Sequence, residues 1–175
     1  RSARIVHIIG RDIIYFHALF WPAMLHAAGL ATPSEIHVHG MLTVDGVKMS
    51  KTRGTFINAS TYLDHLDPIY LRYYFASKMS SSSEDLDLAL DELVDRVNAD
   101  LVNKLANLVS RGVAFLRDKL DGRYGSIASE AESHVGLVLA KVAEAERCYG
   151  TFDIGAAVRI AVELAELGNK LFQDG

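Results

Sequence analysis

The chain has 175 residues, half of them hydrophobic and 23% charged, with 18 Lys+Arg against 22 Asp+Glu and a formal net charge of −4. This composition excludes a disordered or fibrous chain, and a lone cysteine, Cys148, excludes an intramolecular disulfide framework and suits a reducing compartment. Overall acidity argues against non-specific nucleic-acid binding, which rests on neutralising many phosphates. Charge is uneven, however. Residues 1–57 hold six Lys/Arg against three Asp/Glu, and residues 96–123 hold six against three.

Arg4–Ile9 is an apolar, β-branched run ending at Gly10, which predicts a buried strand. Asp12 then stands where an N-cap is expected for a helix reaching about Ala28, with Gly29 as its stop and Pro22 as a kink or restart. No Asp, Glu, Lys or Arg falls between Ile13 and Ser34. The polar and helix-breaking residues inside that run favour a buried core helix, with Trp21 in the core, over a membrane span. Ile36–His39 alternates as a second strand, and Leu42–Val44, Asp45-Gly46 and Val47 form a hairpin signal. Strand, helix and strand with short loops predict a parallel βαβ unit.

From Asn58 the pattern becomes helical. Asn58 is placed to cap Ala59–Leu66, and Asp67-Pro68 supplies a cap and first-turn proline for Ile69–Ser77, which the serines of 80–83 end. The acids of Glu84–Asp87 read as a loop or a helix entrance. Apolar spacing predicts one helix from about Leu88 to Leu120, ended by Asp121-Gly122, and two more over Ser129–Tyr149 and Asp153–Phe172, joined at Gly150. Three long antiparallel helices predict an up-down bundle. Cys148 reads as a buried small hydrophobe.

Lys48-Met49-Ser50-Lys51-Thr52-Arg53-Gly54-Thr55 concentrates cations, hydroxyls and a glycine just after the hairpin. Such a loop suits a polyphosphate, although it lacks Walker A spacing and would otherwise pass for a solvated basic turn. His37 and His39 sit at strand spacing without a Cys or carboxylate to join them, so no metal is assigned.

Lys48–Thr52 resembles the KMSKS signature of class I aminoacyl-tRNA synthetases. Ile9–His17, Phe20–Leu25, Val38–Gly40, Val47–Thr55, Leu71–Tyr74 and Arg96–Asn103 resemble the methionyl-tRNA synthetase family within that class, in one register from about residue 4 to 123. The resemblance implies an α/β part followed by an all-α part. Residues 1–45 would be the C-terminal part of a Rossmann-like catalytic domain, 46–87 the KMSKS loop and stem-contact region, and 88–175 a truncated helical anticodon-binding domain. The family's HIGH signature and zinc-bearing insertion are missing from the sequence, so it reads as a fragment unable to form adenylate by itself.

Carried over residue by residue, the resemblance puts Gly10 and Asp12 at the ribose, Leu42 at adenine, and Lys48, Ser50, Lys51 and Thr52 at the phosphates. Lys51 is the main catalytic candidate, with Lys48 sharing the phosphate charge. Thr52 departs from the usual serine but keeps its hydroxyl. His17, Phe16 and Phe20 would wall the methionine pocket, where aromatic rings attract a thioether by roughly 0.3–1.5 kcal/mol. Asn107 and Arg111, four apart on one helix face, would read the anticodon with a tryptophan expected shortly after Gly175. The implied ligands are ATP with Mg, methionine and the tRNA for methionine, in the cytoplasm and without a membrane. The alternatives are another KMSKS synthetase and a non-catalytic tRNA-binding module.

Overall fold

The computed structural model describes residues 3–49, 57–80 and 83–174. Two compact units emerge: residues 1–61 with 80–89, and residues 62–79 with 90–175.

In the first unit, β1 (Val6–Gly10) lies parallel to β2 (Glu35–His39), with Val6 opposite Glu35 and Gly10 opposite His39. The connection between them is helical but not uniformly α. A 3-10 turn (Arg11–Ile13) begins it, a π-helical stretch (Phe16–Phe20) follows, and α1 (Trp21–Ala27) completes it. Pro22, in the first turn of α1, has no N–H to return to the preceding turn, so the helix restarts at Trp21. Gly29 ends it at φ +68°.

Three features of this unit depart from the sequence expectation. Asp12 lies inside the opening turn, and Gly10, with no side chain to cap with, precedes it. Strand β1 is only half-covered, because Ile9 is buried while Ile8 is 61% exposed on the opposite face. Trp21 is 42% exposed rather than core.

The second sheet has the order β4-β3-β5. β3 (Leu42–Val44) and β4 (Val47–Lys48) form the expected hairpin, and both turn residues take positive φ, 48° at Asp45 and 73° at Gly46. β5 (Leu86–Leu88) pairs parallel to β3, setting Thr43 opposite Asp87. The acids of 84–87 are therefore a strand and its approach. Leu88 is a buried strand residue, and the helix behind it starts at Leu90.

The chain passes into the second unit within α2 (Ala59–Leu63). Asp67 accepts from the Ile69 N–H at 2.8 Å and caps α3 (Pro68–Lys78) as its sequence predicts. α4 (Leu90–Arg96), a π-helical stretch (Val97–Ala106) and α5 (Asn107–Leu120) run on continuously until Asp121 and Gly122, both at positive φ, with the Gly122 N–H returning to the Leu116 carbonyl. α6 (Glu132–Gly150) and α7 (Ile154–Asp174) follow. Gly150 still belongs to α6, and the reversal falls on Phe152 at φ +61°. The Asp153 carboxylate then accepts from the Ala156 N–H. Cys148 is half-buried.

α7 organises this unit, packing on α3, the π-helical stretch, α5 and α6. Tyr74, Leu93, Ala157, Ile160 and Ala165 are buried. Glycines admit the neighbours closely: a Cβ at Gly155 would lie 2.0 Å from the Met79 carbonyl oxygen, and one at Gly168 would lie 2.8 Å from the Leu108 methyls.

Candidate functional site

Gly10 ends β1 beside the end of β2, and in parallel sheets ligands collect at such carboxyl ends. A Cβ on Gly10 would approach the Asp12 carboxylate to 2.7 Å, so only glycine leaves that exposed carboxylate in place. Leu42 opens β3 two residues after Gly40, whose Cβ would collide with the Glu84 carbonyl oxygen at 2.0 Å. The segment 84–88 is thereby held against residues 40–46.

Two aspartates finish that contact. The Asp85 carboxylate accepts from the Met41 N–H at 2.8 Å and pairs with the Arg11 guanidinium at 3.0 Å. Asp87 accepts from the Thr43 hydroxyl at 2.6 Å and the Gly46 N–H at 2.8 Å. Lys48 ends β4 opposite Thr43 and is exposed. Ser50, Lys51 and Thr52 lie outside the described residues.

His17, Phe16 and Phe20 share the π-helical stretch. The His17 Nδ1–H donates to the Ile13 carbonyl at 3.0 Å, which leaves Nε2 as the acceptor of the neutral ring. His7 on β1 stands perpendicular to it, with centroids 5.5 Å apart. The His7 Nδ1 is buried without a partner among the described residues. The Phe16 and Phe20 rings are 5.9 Å apart and more than half exposed.

A carboxylate does join His37, contrary to the sequence reading. Glu35 accepts from His37 at 3.1 Å and also binds Arg4. These hydrogen bonds, from His37 first and Arg4 next, hold the Glu35 carboxyl below its ordinary range. His39 turns instead to the Gly40 carbonyl. Among the described residues no group of three or more His, Cys, Asp or Glu could hold a metal, and no helix is long and apolar enough to cross a membrane.

In the helical unit, Asn107 and Arg111 face α7. The Asn107 amide donates to Asn169 Oδ1 at 3.3 Å, and Arg111 donates to the Phe172 carbonyl at 3.1 Å with its guanidinium 5.6 Å from the Phe172 ring. The arginine thus stands at the negative end of the α7 dipole. No sequence signal marks these partners.

A polar network unmarked in the sequence binds α3 to the long helix. The buried Tyr74 hydroxyl donates to Glu92 at 2.8 Å, Lys78 reaches Glu92 at 2.6 Å, and Arg96 reaches it at 2.9 Å. The Lys78 hydrogen bond, above all, brings the Glu92 carboxyl down to about 2 although burial opposes it. Next to it the Tyr73 hydroxyl donates to Asp100 at 2.7 Å, and burial together with that carboxylate raises the Tyr73 hydroxyl. A cleft of about 460 Å³ opens beside these groups, lined also by Arg159 and Glu163.

The sequence profile of tRNA synthetases class I (M) matches residues 1–113. Three solved structures of Mycobacterium tuberculosis methionyl-tRNA synthetase are similar to the chain. One, bound by methionyl-adenylate, is 28% identical with a TM-score of 0.85, over 97% of this chain and 34% of that one. A second complex with methionyl-adenylate is 29% identical with a TM-score of 0.86, over 96% of this chain and 33% of that one. The apo form is 26% identical with a TM-score of 0.81, over 97% and 33%. The chain thus spans about a third of the length of these relatives, and its helix-rich fold with small sheets is synthetase-like. Because the profile covers well over half of its residues, the chain belongs to the class I tRNA synthetase family of the methionyl (M) type.

Proposed function

We propose that this chain is part of a methionine–tRNA ligase, carrying the end of the catalytic domain (1–45), the KMSKS and stem-contact region (46–87) and most of an up-down anticodon-binding bundle (88–175). The observation that carries this reading is the similarity, along nearly the whole chain, to methionyl-tRNA synthetases bound to methionyl-adenylate.

In the reaction, the methionine carboxylate attacks the α-phosphorus of ATP, the bond to pyrophosphate breaks, and methionyl-adenylate forms. Methionine then passes to the tRNA. Gly10 leaves room for the nucleoside, the Asp12 carboxylate accepts ribose hydroxyls, and the backbone at Leu42 lies against adenine. Lys48, Ser50, Lys51 and Thr52 supply cations and hydroxyl donors to the phosphates alongside Mg. Lys51 stabilises charge on the departing pyrophosphate, which accelerates the step only because that charge is larger in the transition state. His17 offers Nε2, and Phe16 and Phe20 offer ring surface, to the methionine side chain. The exposed Asn107 amide, and the Arg111 guanidinium donors left over from its bonds to the end of α7, are offered to unstacked anticodon bases. The cytoplasm is the compartment that fits this chemistry.

Methionine-dependent ATP–pyrophosphate exchange by the full-length protein tests the reading. Lys51→Ala is expected to lower the rate about 10²–10³-fold, or roughly 3–4 kcal/mol. Exchange driven by another amino acid would reassign the substrate. Retained tRNA binding without exchange would indicate a binding module in a synthetase fold.

A further inference from the structure

We propose that Asp85 and Asp87 are positioning residues for adenylate formation: Asp85 fixes the segments that meet the nucleoside, and Asp87 fixes the hairpin from which the lysine loop departs. This rests on the methionine–tRNA ligase reading above. Both carboxylates are engaged by the chain itself, Asp85 by the Met41 N–H and Asp87 by the Thr43 hydroxyl and the Gly46 N–H. Each acts through the backbone it holds.

Arg11 lies between Gly10 and Asp12, and Met41 directly precedes Leu42. The Asp85 side chain binds both, accepting from the Met41 N–H at 2.8 Å and pairing with Arg11 at 3.0 Å. It therefore ties together the chain neighbours of all three nucleoside candidates. The ion pair is exposed on both sides, at 46% and 41%, and exposed pairs contribute little. The bond to the Met41 N–H is thus the one expected to matter.

Asp87 binds the hairpin at two points, the Thr43 hydroxyl at 2.6 Å and the Gly46 N–H in the turn at 2.8 Å. Thr43 is the ladder partner of Lys48, so this carboxylate sets the register of the first lysine. The backbone leaves no slack. Leu86 N–H bonds the Met41 carbonyl at 2.9 Å, and Gly40 has no room for a Cβ against Glu84. Reacting groups displaced by about 1 Å can lose on the order of 10² in rate, so a hairpin loosened at its turn should register in turnover.

The test is ATP–pyrophosphate exchange by the full-length protein, with ATP and methionine varied separately. Asp87→Ala should lower kcat at least tenfold and leave KM for methionine within twofold. Asp87→Asn, whose amide oxygen still accepts both bonds, should retain more of kcat than Asp87→Ala. Asp85→Ala should raise KM for ATP about fivefold, and Asp85→Asn should not. Thr43→Val should lower kcat several-fold and add little to Asp87→Ala, because both remove the same contact. A fall in Tm with kcat and both KM values unchanged overturns the proposal. If Asp87→Ala does not fold, unchanged kcat in Thr43→Val overturns it equally. A wild-type protein without methionine-dependent exchange overturns the underlying reading and the proposal with it. An active wild type with unaltered variants overturns the proposal alone.

Discussion

The two compact units hold themselves together differently. In residues 1–61 with 80–89, Ile9 and Leu88 are the buried large apolar side chains among the described residues, while Ile8, Tyr15, Phe16, Leu19, Phe20 and Met24 are more than half exposed. Specific polar contacts fix this unit: two aspartates on the hairpin, a carboxylate on His37, and a glycine pressed against Glu84. In residues 62–79 with 90–175, Tyr74, Leu93, Ala157, Ile160 and Ala165 form a buried centre around α7, and charged groups bridge its helices. The helical unit also leaves large apolar side chains exposed, Val109, Val113, Ile127 and Leu139 among them, so the units differ in what they bury: a centre around α7 in one, and little beyond Ile9 and Leu88 beside directional bonds to particular backbone atoms in the other. Directional bonds hold particular backbone atoms in place, which a nucleotide site needs. Packing gives a scaffold that tolerates more surface change.

The sharpest way to break that contrast is to remove apolar bulk from each unit. Leu93→Ala is expected to cost about 2–5 kcal/mol, because Leu93 is 4% exposed and a cavity would remain. Ile8→Ala, at a position 61% exposed, should stay within about 0.5 kcal/mol of the parent chain. Denaturant unfolding of the chain reads both, and equal losses would refute the contrast. Next in size is Gly40→Ala. Its Cβ would meet a backbone oxygen, which has no rotamer to yield, so a cost of about 1–3 kcal/mol is expected. Faster amide hydrogen exchange at Leu86, whose N–H bonds Met41, should accompany it. Unchanged exchange there would mean that the 84–88 segment is not held through Gly40.

A smaller effect belongs to Arg111. Replacing it by Met keeps its stem but removes the donors to α7, so a loss of about 1 kcal/mol is expected from the helical unit. If the same side chain also reads the anticodon, tRNA affinity should fall by more than that stability change explains. Filter binding beside unfolding separates the two roles.

The parts of this molecule that were readable from sequence are those set by local chemistry. Asp45-Gly46 dictates its turn because both residues tolerate positive φ, and Asp67-Pro68 dictates a helix start through a side-chain cap and a fixed proline φ. β5 escaped because its three residues carry an alternation that merges with the helical spacing of Leu88 and Leu90, and its partner strand lies over forty residues earlier. Asp85 and Asp87 escaped with it, although their spacing of two is that of one strand face. The π-helical stretch before Trp21 had only Pro22 as a signal, and the one after Arg96 had none. The partners of Asn107 and Arg111 come from α7, 58 to 62 residues onward, a separation that no spacing rule spans. Lys51, the heaviest catalytic candidate, was legible only through its family motif.

The smallest expected effect tests the charged part of the helical unit. The Glu92 carboxyl lies at about 2, against 4.5 ordinarily, principally through its hydrogen bond from Lys78. The hydrogen bonds of Lys78 to Glu92 and Tyr74 outweigh its burial and raise its own value, so it stays cationic throughout acid titration. A carboxyl depressed in the folded state binds fewer protons there than in the unfolded chain. Its stabilisation is therefore complete above about 4.5 and disappears as pH falls toward about 2. The Glu92 side chain is 38% exposed, so solvent screening limits the loss to about 1 kcal/mol or less. Glu92→Gln retains an acceptor for the Tyr74 hydroxyl but not the charge. Its unfolding midpoint should decline less steeply between pH 4.5 and 2 than that of the parent chain, with part of the decline remaining because Asp100 is depressed too. Parallel pH profiles for the two chains would show that the buried tyrosine and the packing around it, not the ion pair, hold α3 to α4.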